Sequence, residues 1–364
     1  MPKGLYIHIP FCMKKCKYCD FVSFECGDKD AYIDALMNEL NSYKGTEVDT
    51  VFIGGGTPTT LSLKQINRLF AHINDTFHLS GNVEWTVEAN PSTFDKEKLK
   101  LMKELGVNRL SVGVQSFSDV ELKALGRIHT ADKAKEAIEL AKEYFENINI
   151  DIISAVPNQT RESFVNTLDT AISLNPTHIS CYSLILEEGT PLYAEYESGK
   201  LILPDEDSER KMYETACERL EKAGYMQYEI SNFAKNGYEC KHNLKYWHLN
   251  DYIGAGVAAH SLIGDKRQEN TSDLSKYING QYRDVEEKIT KDGLRFEFII
   301  MTLRLTDGLS GKEYYERFGS DFYTDYKEQI DKFINLGLMM RTDAGFALTK
   351  RGISLSNSVL CEFA

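Results

Sequence analysis

The chain has 364 residues, 42% hydrophobic and 27% charged, an ordinary globular balance with room for one large domain, a smaller appended one and a sizeable core. Its net charge of −13 speaks against a nucleic-acid footprint, which needs clustered Lys and Arg, and no apolar run of about 18 residues offers a membrane span. Of the eight cysteines three are clustered and five scattered, and with no signal peptide to read, the expectation is a reducing, cytoplasmic setting without disulfides.

In chain order, a first strand is predicted over 4–9. Directly after it comes Phe11-Cys12-Met13-Lys14-Lys15-Cys16-Lys17-Tyr18-Cys19, a CxxxCxxC spacing. Three thiolates on one short loop suit three irons of a 4Fe–4S cube and leave the fourth iron without a protein ligand, much as catalytic metal sites keep a position open. A structural zinc site is the alternative; it needs a fourth ligand and usually a paired CxxC, which the chain lacks. A helix over 29–43 follows, with Tyr32, Ile33, Leu36, Met37 and Leu40 on one face. Strands over 50–54, 84–89, 109–113, 149–155 and 178–184 then alternate with helices over 62–77, 95–104, 131–146 and 161–174, where Ser62 and Asp95 read as N-caps. Six successive β–α units imply an α/β fold with a parallel sheet and right-handed crossovers, either a curved partial barrel or an open doubly wound sheet.

In a barrel, chemistry gathers at the carboxyl ends of the strands. The cysteine loop follows strand one, Gly54-Gly55-Gly56-Thr57 ends strand two, Glu88 ends strand three, Gln115 follows strand four, and Asp151 lies within strand five. The glycines bring bare backbone close to a ligand, but this is not a phosphate loop, because the completing Lys-Ser/Thr is missing. Glu88 is a partner for an amino group or hydroxyls, or else a merely solvated strand end. Arg127 has the two-pronged shape that clamps a carboxylate.

After about residue 225 the alternation stops. Residues 241–261 are rich in His, aromatics and Gly, and a charged stretch over 265–292 leads to an apolar helix over 294–305. Helices over 311–318 and 325–336 and a two-stranded wing over 338–348, turning at Asp343-Ala344-Gly345, resemble a winged helix. The acidic balance favours a packing role over DNA binding, and a winged-helix regulator sensing through its cluster is the competing class of function. His242-Asn243-Leu244-Lys245-Tyr246-Trp247 puts an imidazole beside aromatics. Such a His is usually a packed, hydrogen-bonded residue, yet imidazole also ligates haem iron and aromatic faces cover porphyrin. His248 and His260 are the alternative ligands, while Cys26, Cys181, Cys217, Cys240 and Cys361 read as core or incidental residues.

The cysteine spacing resembles that of the radical SAM enzymes, whose open iron binds S-adenosylmethionine (SAM). Tyr6-Ile7-His8-Ile9-Pro10-Phe11-Cys12 is similar to the lead-in of the oxygen-independent coproporphyrinogen III oxidase group. Gly54-Gly55-Gly56-Thr57-Pro58, Glu88-Ala89-Asn90-Pro91, Gly113-Val114-Gln115-Ser116-Phe117, Gly126-Arg127-Ile128-His129 and Gly254-Ala255-Gly256-Val257 resemble its other blocks in order, essentially from end to end. The resemblance implies a radical SAM partial (β/α)6 TIM barrel with a smaller C-terminal α+β winged-helix-like domain. The core would span 1–230 and the C-terminal domain 231–364, comprising a linker and haem-binding segment (231–292) and a winged-helix-like part (293–364). It further implies a 4Fe–4S cluster on Cys12, Cys16 and Cys19. SAM would lie against Tyr6, Tyr18, Gly55, Gly56, Thr57, Glu88, Gln115, Arg127, Asp151 and Ile185, with Asp151 paired to ribose or to Arg127. Ser154-Ala155-Val156-Pro157-Asn158 departs from the group's Gly-Leu-Pro-Gly-type run, which puts that loop's shape in doubt.

Three features select the haem-chaperone branch of this family. HNxxYW is characteristic of it and makes His242 the expected haem ligand. The fourth cysteine of the true oxidases is replaced by the run Cys19-Asp20-Phe21, and the oxidases' extension before the first strand is missing. The branch implies a protein with no assigned catalytic residue that carries haem as cargo to recipient haemoproteins or respiratory-chain cytochromes, with at most peripheral membrane contact. The alternative is an oxygen-independent coproporphyrinogen III oxidase, a radical SAM oxidative decarboxylase of haem biosynthesis.

Overall fold

In the computed structural model, which describes residues 2–363, six strands and their crossovers run in the expected order. They are β1 (Lys3–Ile9), α1 (Lys29–Asn41), β2 (Glu47–Gly55), α2 (Leu63–Thr76), β3 (His78–Ala89), α3 (Lys96–Glu104), β4 (Arg109–Gln115), α4 (Asp119–Ala124), α5 (Ala131–Lys142), β5 (Asn147–Ser154), α6 (Arg161–Ser173) and β6 (His178–Ser183). Each strand pairs in parallel with the next, giving the α/β partial barrel. Ser62 caps α2 with a reciprocal capping box through Gln65, and Asp95 caps α3 at Lys98 N. β3 begins six residues before the predicted 84, because Glu47↔His78 and Val48↔Leu79 pair through main chain alone, whatever the side chains.

The period of two along each strand sorts the side chains. Leu5, Ile7, Val51, Ile53, Trp85, Val87, Leu110, Val112, Ile150, Ile152 and Ile179 join the helices in one apolar core. The interleaved Tyr6, Thr50, Thr86, Glu88, Arg109, Ser111, Asn149, Asp151, His178 and Ser180 share the concave face. There Asn149 Nδ2 donates to Ser111 Oγ (2.8 Å) and Asn149 Oδ1 meets His178 Nδ1 (2.6 Å) across three strands.

The barrel is followed by α7 (Pro191–Glu197), α8 (Glu206–Lys222), β7 (Met226–Gln227), β8 (Asn232–Ala234), α9 (Lys241–Trp247), β9 (Tyr252–Ala255), β10 (His260–Ile263), β11 (Lys266–Asn270), α10 (Leu274–Ile278) and β12 (Arg283–Lys288). The stretch 231–292, expected as a linker and haem-binding segment, contributes β8 to β12 and, with β7 just before it, extends the main sheet to twelve strands at both edges. β8 and β7 add antiparallel beyond β6; β9 lies parallel to β1 and carries β10, β11 and β12 outward. These strands are two to six residues long, too short for periodicity, and the outermost reads Arg-Asp-Val-Glu-Glu-Lys, a charged edge that discourages further pairing. Glu39 of α1 fastens this extension. Only 3% exposed, it accepts from Gly256 N (2.9 Å), Asn270 Nδ2 (2.8 Å) and Tyr277 Oη (2.5 Å).

The C-terminal part comprises α11 (Lys291–Thr302), β13 (Leu309–Ser310), α12 (Gly311–Phe318), α13 (Phe322–Asp325), α14 (Lys327–Asn335), β14 (Met339–Arg341) and β15 (Gly345–Leu348). It has its own aromatic core of Phe298, Tyr314, Phe318, Phe322, Phe333, Phe346 and Phe363. The wing closes where Thr342 N donates to Gly345 O (2.9 Å), and β13 adds a third strand that two residues could not announce in the sequence. Among the described residues no helix is long and apolar enough to cross a membrane.

Glu39→Ala strands three buried donors at once. It is expected to destabilise the protein by on the order of 3 kcal/mol, read as a lower urea midpoint, with Glu39→Gln costing less because an amide oxygen still accepts.

Candidate metal and cofactor site

The loop leaving β1 is stitched to the barrel by main chain and one histidine. Cys12 N donates to Phe24 O (3.0 Å), Phe24 N to Pro10 O (2.7 Å), and Lys17 N to Leu125 O just past α4 (3.0 Å). His8, held neutral because burial lowers its pKa, bonds Val22 O through Nε2 (2.8 Å) and Tyr6 Oη through Nδ1 (3.0 Å). Cys12, Cys16 and Cys19 are half-buried free thiols. Burial pushes the Cys19 thiol up to about 11, with Cys16 and Cys12 near enough to add to the effect. Among the described residues no three His, Cys, Asp or Glu side chains converge on a point that one metal ion could occupy. A zinc site needs four such ligands on one ion. A cube asks each thiol for a different iron, so three thiols strung along one loop fit it.

The other mouth residues arrive from successive strand ends. Gly55 adopts φ +99°, and a Cβ on Gly56 would sit 2.8 Å from Ile9 O and Phe11 N, so these glycines let β2 press against the cysteine loop. The amides of this run are engaged: Gly55 N donates to Glu88 Oε2 (3.0 Å), Gly56 N to Ile9 O (2.9 Å) and Thr57 N to Phe11 O (2.8 Å). The Thr57 hydroxyl faces Cys12 Sγ at 3.6 Å. Burial raises the Glu88 carboxyl to about 8, and the charge of Asp151 adds to this, which places the two acids in one electrostatic field. Asp151 accepts from Asn149 Nδ2 (2.7 Å) and Ser111 Oγ (3.2 Å).

Asp151 does not pair with Arg127, as had been one expectation. Arg127 spends one prong on Cys16 Sγ (3.4 Å) and another on Gly113 O. Gln115, only 9% exposed, holds φ +72°, a left-handed conformation uncommon for a non-glycine residue. Ala155, just after β5, also takes a positive φ, +57°. Tyr6 stacks on Phe52 with ring centroids 6.3 Å apart. Tyr18 packs with Leu125, Ile153, Val156 and Leu184 in a small cluster beneath the cysteine loop. Ile185 stands at the rim, 68% exposed.

His242 lies elsewhere, at the opposite end of the barrel. Its ring is fully buried, with Nδ1 bonded to Thr50 Oγ1 (2.9 Å) and Nε2 to Tyr246 Oη (2.8 Å). Burial, with Lys245 and Arg109 nearby, pushes its pKa down to about 3. In this conformation both ring nitrogens of His242, the expected haem ligand, are hydrogen-bonded to hydroxyls. Glu84 of β3 accepts from Lys241 N and His242 N (3.0 Å each), and the Trp247 ring lies under the Arg304 guanidinium at 4.6 Å. The HNxxYW segment thus closes the barrel floor and anchors the C-terminal part to it. His248, whose side chain is 40% exposed, and the exposed His260 keep more open rings.

Two residues with site roles were not singled out by sequence reasoning. His8 sits in the quoted lead-in, and only the structure reveals that it ties β1 to the far leg of the cysteine loop. Arg109, 2% exposed, faces Glu84 and Asp151 from the barrel interior while its Nε finds no acceptor. The available signal was a charged residue opening β4, two positions before Ser111 and so on the same face.

His242→Ala removes both bonds and leaves the Thr50 and Tyr246 hydroxyls unpaired in a cavity. A loss of about 2–4 kcal/mol in chemical unfolding is expected, with visible absorbance of a reconstituted cluster unchanged because the cysteines lie at the other end of the strands.

Comparison with known proteins agrees with this architecture. Residues 6–171 match the family profile of the radical SAM superfamily, and residues 289–355 that of the HemN C-terminal domain. Heme chaperone HemW of Bacillus subtilis is 40% identical over 375 residues, covering 99% of each chain. Heme chaperone HemW of Escherichia coli is 36% identical over 374 residues, covering 99% of this chain and 97% of its own. Among solved structures, coproporphyrinogen III oxidase (HemN) from Escherichia coli, a radical SAM enzyme, superposes with a TM-score of 0.86 at 26% identity, over 100% of this chain and 90% of that one. With full-length identity of this order to several HemW chaperones and a matching barrel, the chain belongs to the HemW heme chaperone family of the radical SAM superfamily.

Proposed function

We propose that this protein is a haem chaperone that holds a 4Fe–4S cluster on Cys12, Cys16 and Cys19, binds SAM beside it, and carries haem to recipient haemoproteins. The observation that carries the reading is the end-to-end likeness to HemW chaperones, 40% over 99% of both chains for the Bacillus subtilis protein. Asp20 and Phe21, standing where the oxidases continue to a fourth cysteine, support the same branch. When bound, the cluster and SAM supply one-electron chemistry at an open iron. Glu88 and Asp151 are the carboxylates available to SAM's amino group and ribose; Gln115, Tyr6, Tyr18 and Ile185 shape the rest of the mouth. Gly55, Gly56 and Thr57 contribute close approach and carbonyl oxygens, since their amides are engaged.

The raised Glu88 pKa gives this SAM site a pH signature. A carboxyl near 8 is protonated at neutral pH in the empty site, and a cationic amino group binds the ionised form. Below pH 8 binding must expel that proton. SAM affinity measured by equilibrium dialysis is therefore expected to rise with pH from 6 to 8, by at most about tenfold per unit, and to level off above. Glu88→Gln is expected to flatten that slope while the cluster is retained; an unchanged slope in the variant would remove Glu88 from the site.

The chaperone and oxidase readings separate in one anaerobic experiment on the reconstituted full chain. Haem titration is expected to saturate at about one per chain, and coproporphyrinogen III is expected to remain undecarboxylated. The haem band is expected to survive in His242→Ala, with His248→Ala and His260→Ala examined for its loss. Measured decarboxylation would overturn the chaperone reading, and a haem band lost in His242→Ala while the protein stays folded under the assay conditions would make His242 the ligand.

A further inference from the structure

The guanidinium of Arg127 already makes two bonds in the structure, one of them to sulfur. It is built against a cysteine of the cluster loop. α4 ends in the turn Leu125-Gly126-Arg127, where Arg127 N donates to Leu122 O (2.9 Å) and Leu125 O accepts from Lys17 N (3.0 Å). Gly126 takes φ +76° there, and a Cβ at this position would meet Lys17 Cγ at 3.0 Å and Lys17 N at 3.2 Å. The turn and the cysteine loop therefore touch backbone to backbone one residue from Cys16. From this base Arg127 Nη1 donates to Cys16 Sγ (3.4 Å) and Nη2 to Gly113 O, while Nε is buried without an acceptor. Two of its nitrogens are held by β4 and the cysteine loop, so the side chain has little freedom to leave the sulfur.

A thiolate that ligates iron still carries lone pairs and still accepts N–H bonds. Such a bond draws electron density from the sulfur and favours the more negative, reduced cluster; protein hydrogen bonds and burial are the main levers on cluster potential. A half-buried cation acts in the same direction, because the protein around it screens its charge less than water does. We propose that Arg127, through its bond to Cys16 Sγ, sets the reduction potential of the cluster and holds it above the value the three thiolates alone would give. The step concerned is the gain of one electron by the cluster, from its 2+ to its 1+ state, supplied by an external low-potential one-electron donor. Arg127 is in this respect a positioning and tuning residue. The inference rests on the reading that Cys12, Cys16 and Cys19 ligate the cluster.

The test is a dithionite redox titration of the reconstituted full chain, followed by electron paramagnetic resonance, in the absence of SAM so that the readout is independent of the SAM site. Arg127→Gln is expected to shift the midpoint to more negative potential, and Arg127→Lys, which keeps the charge but not the planar fork, to shift it less. Resonance Raman of the oxidised cluster is expected to show the iron–cysteine stretching bands moving in Arg127→Gln, a signature that a purely structural role would not produce. Cys16→Ala distinguishes the two levels. A cluster unaltered by Cys16→Ala would overturn the ligand reading. Loss of the cluster in Cys16→Ala together with a native midpoint in Arg127→Gln would overturn only the tuning role. If neither Arg127 variant assembles a cluster, the residue serves assembly and the tuning proposal fails.

Discussion

Polar groups on the concave face of the parallel strands cannot all reach water, and the rest of the molecule is arranged around satisfying them. The strand register sets Thr50 opposite Glu84, Ser111 and His178 on either side of Asn149, and Asp151 opposite Ser180. Left unpaired, each would cost free energy comparable to a lost hydrogen bond or more, and the charges far more. Three kinds of partner meet this demand. Neighbouring strands supply Asn149, which bridges Ser111, Asp151 and His178. The floor supplies the amides of Lys241 and His242 to Glu84. At the mouth the carboxyls of Glu88 and Asp151 are still raised by burial, which leaves that end poised for a cationic ligand.

This accounts for the HNxxYW segment in physical terms. A short helix laid across the starts of β1, β2 and β3 must cap its own exposed amides, and a carboxylate on β3 does so. Its first histidine then fills the space above Gly4, where a Cβ would approach the imidazole Cε1 to 3.3 Å. Tyr246 holds that ring from the same helix, and Trp247 reaches out to Arg304 in the C-terminal part. Thr306 completes the joint through Tyr228 O (3.1 Å) and Gln227 O (3.2 Å). One six-residue motif thereby joins the barrel floor to the appended domain. A motif with a His beside aromatics is equally what a buried fastening and a metal-ligating loop look like, and only the partners of the two ring nitrogens tell them apart.

The barrel was legible because its evidence is periodic and redundant. Val51 and Ile53, Leu110 and Val112, Ile150 and Ile152 repeat one pattern, and the cysteine loop, Gly54 to Thr57, Glu88 and Gln115 all fall at the same end of their strands. What stayed unread depends on long-range pairing. β9 sits beside β1 across some 250 residues of sequence, through four residues, Tyr252–Ala255, that carry no strand signal of their own. The role of the glycine run was half legible: its need for bare backbone could be read from composition, but not that the cysteine loop packs directly against Gly56. Arg127 was similar, since a guanidinium's two-pronged shape does not announce its bonds to Cys16 Sγ and Gly113 O.

The close superposition on an oxidase, with a TM-score of 0.86 at 26% identity, bears on how such a fold changes occupation. The parallel strands, the polar interior and the cysteine loop are coupled to one another by hydrogen bonds, so they resist piecemeal change. The rim is not. Phe21 and Ile185 are 60% and 68% exposed, project from loops and satisfy no buried partner, so substitution there leaves the interior network intact. Divergence between a protein that transforms a porphyrinogen and one that carries haem is therefore expected to concentrate in the rim and the cysteine loop's flank, where Asp20 and Phe21 stand, while Glu84, Asn149 and His8 are constrained by the fold whichever task it serves.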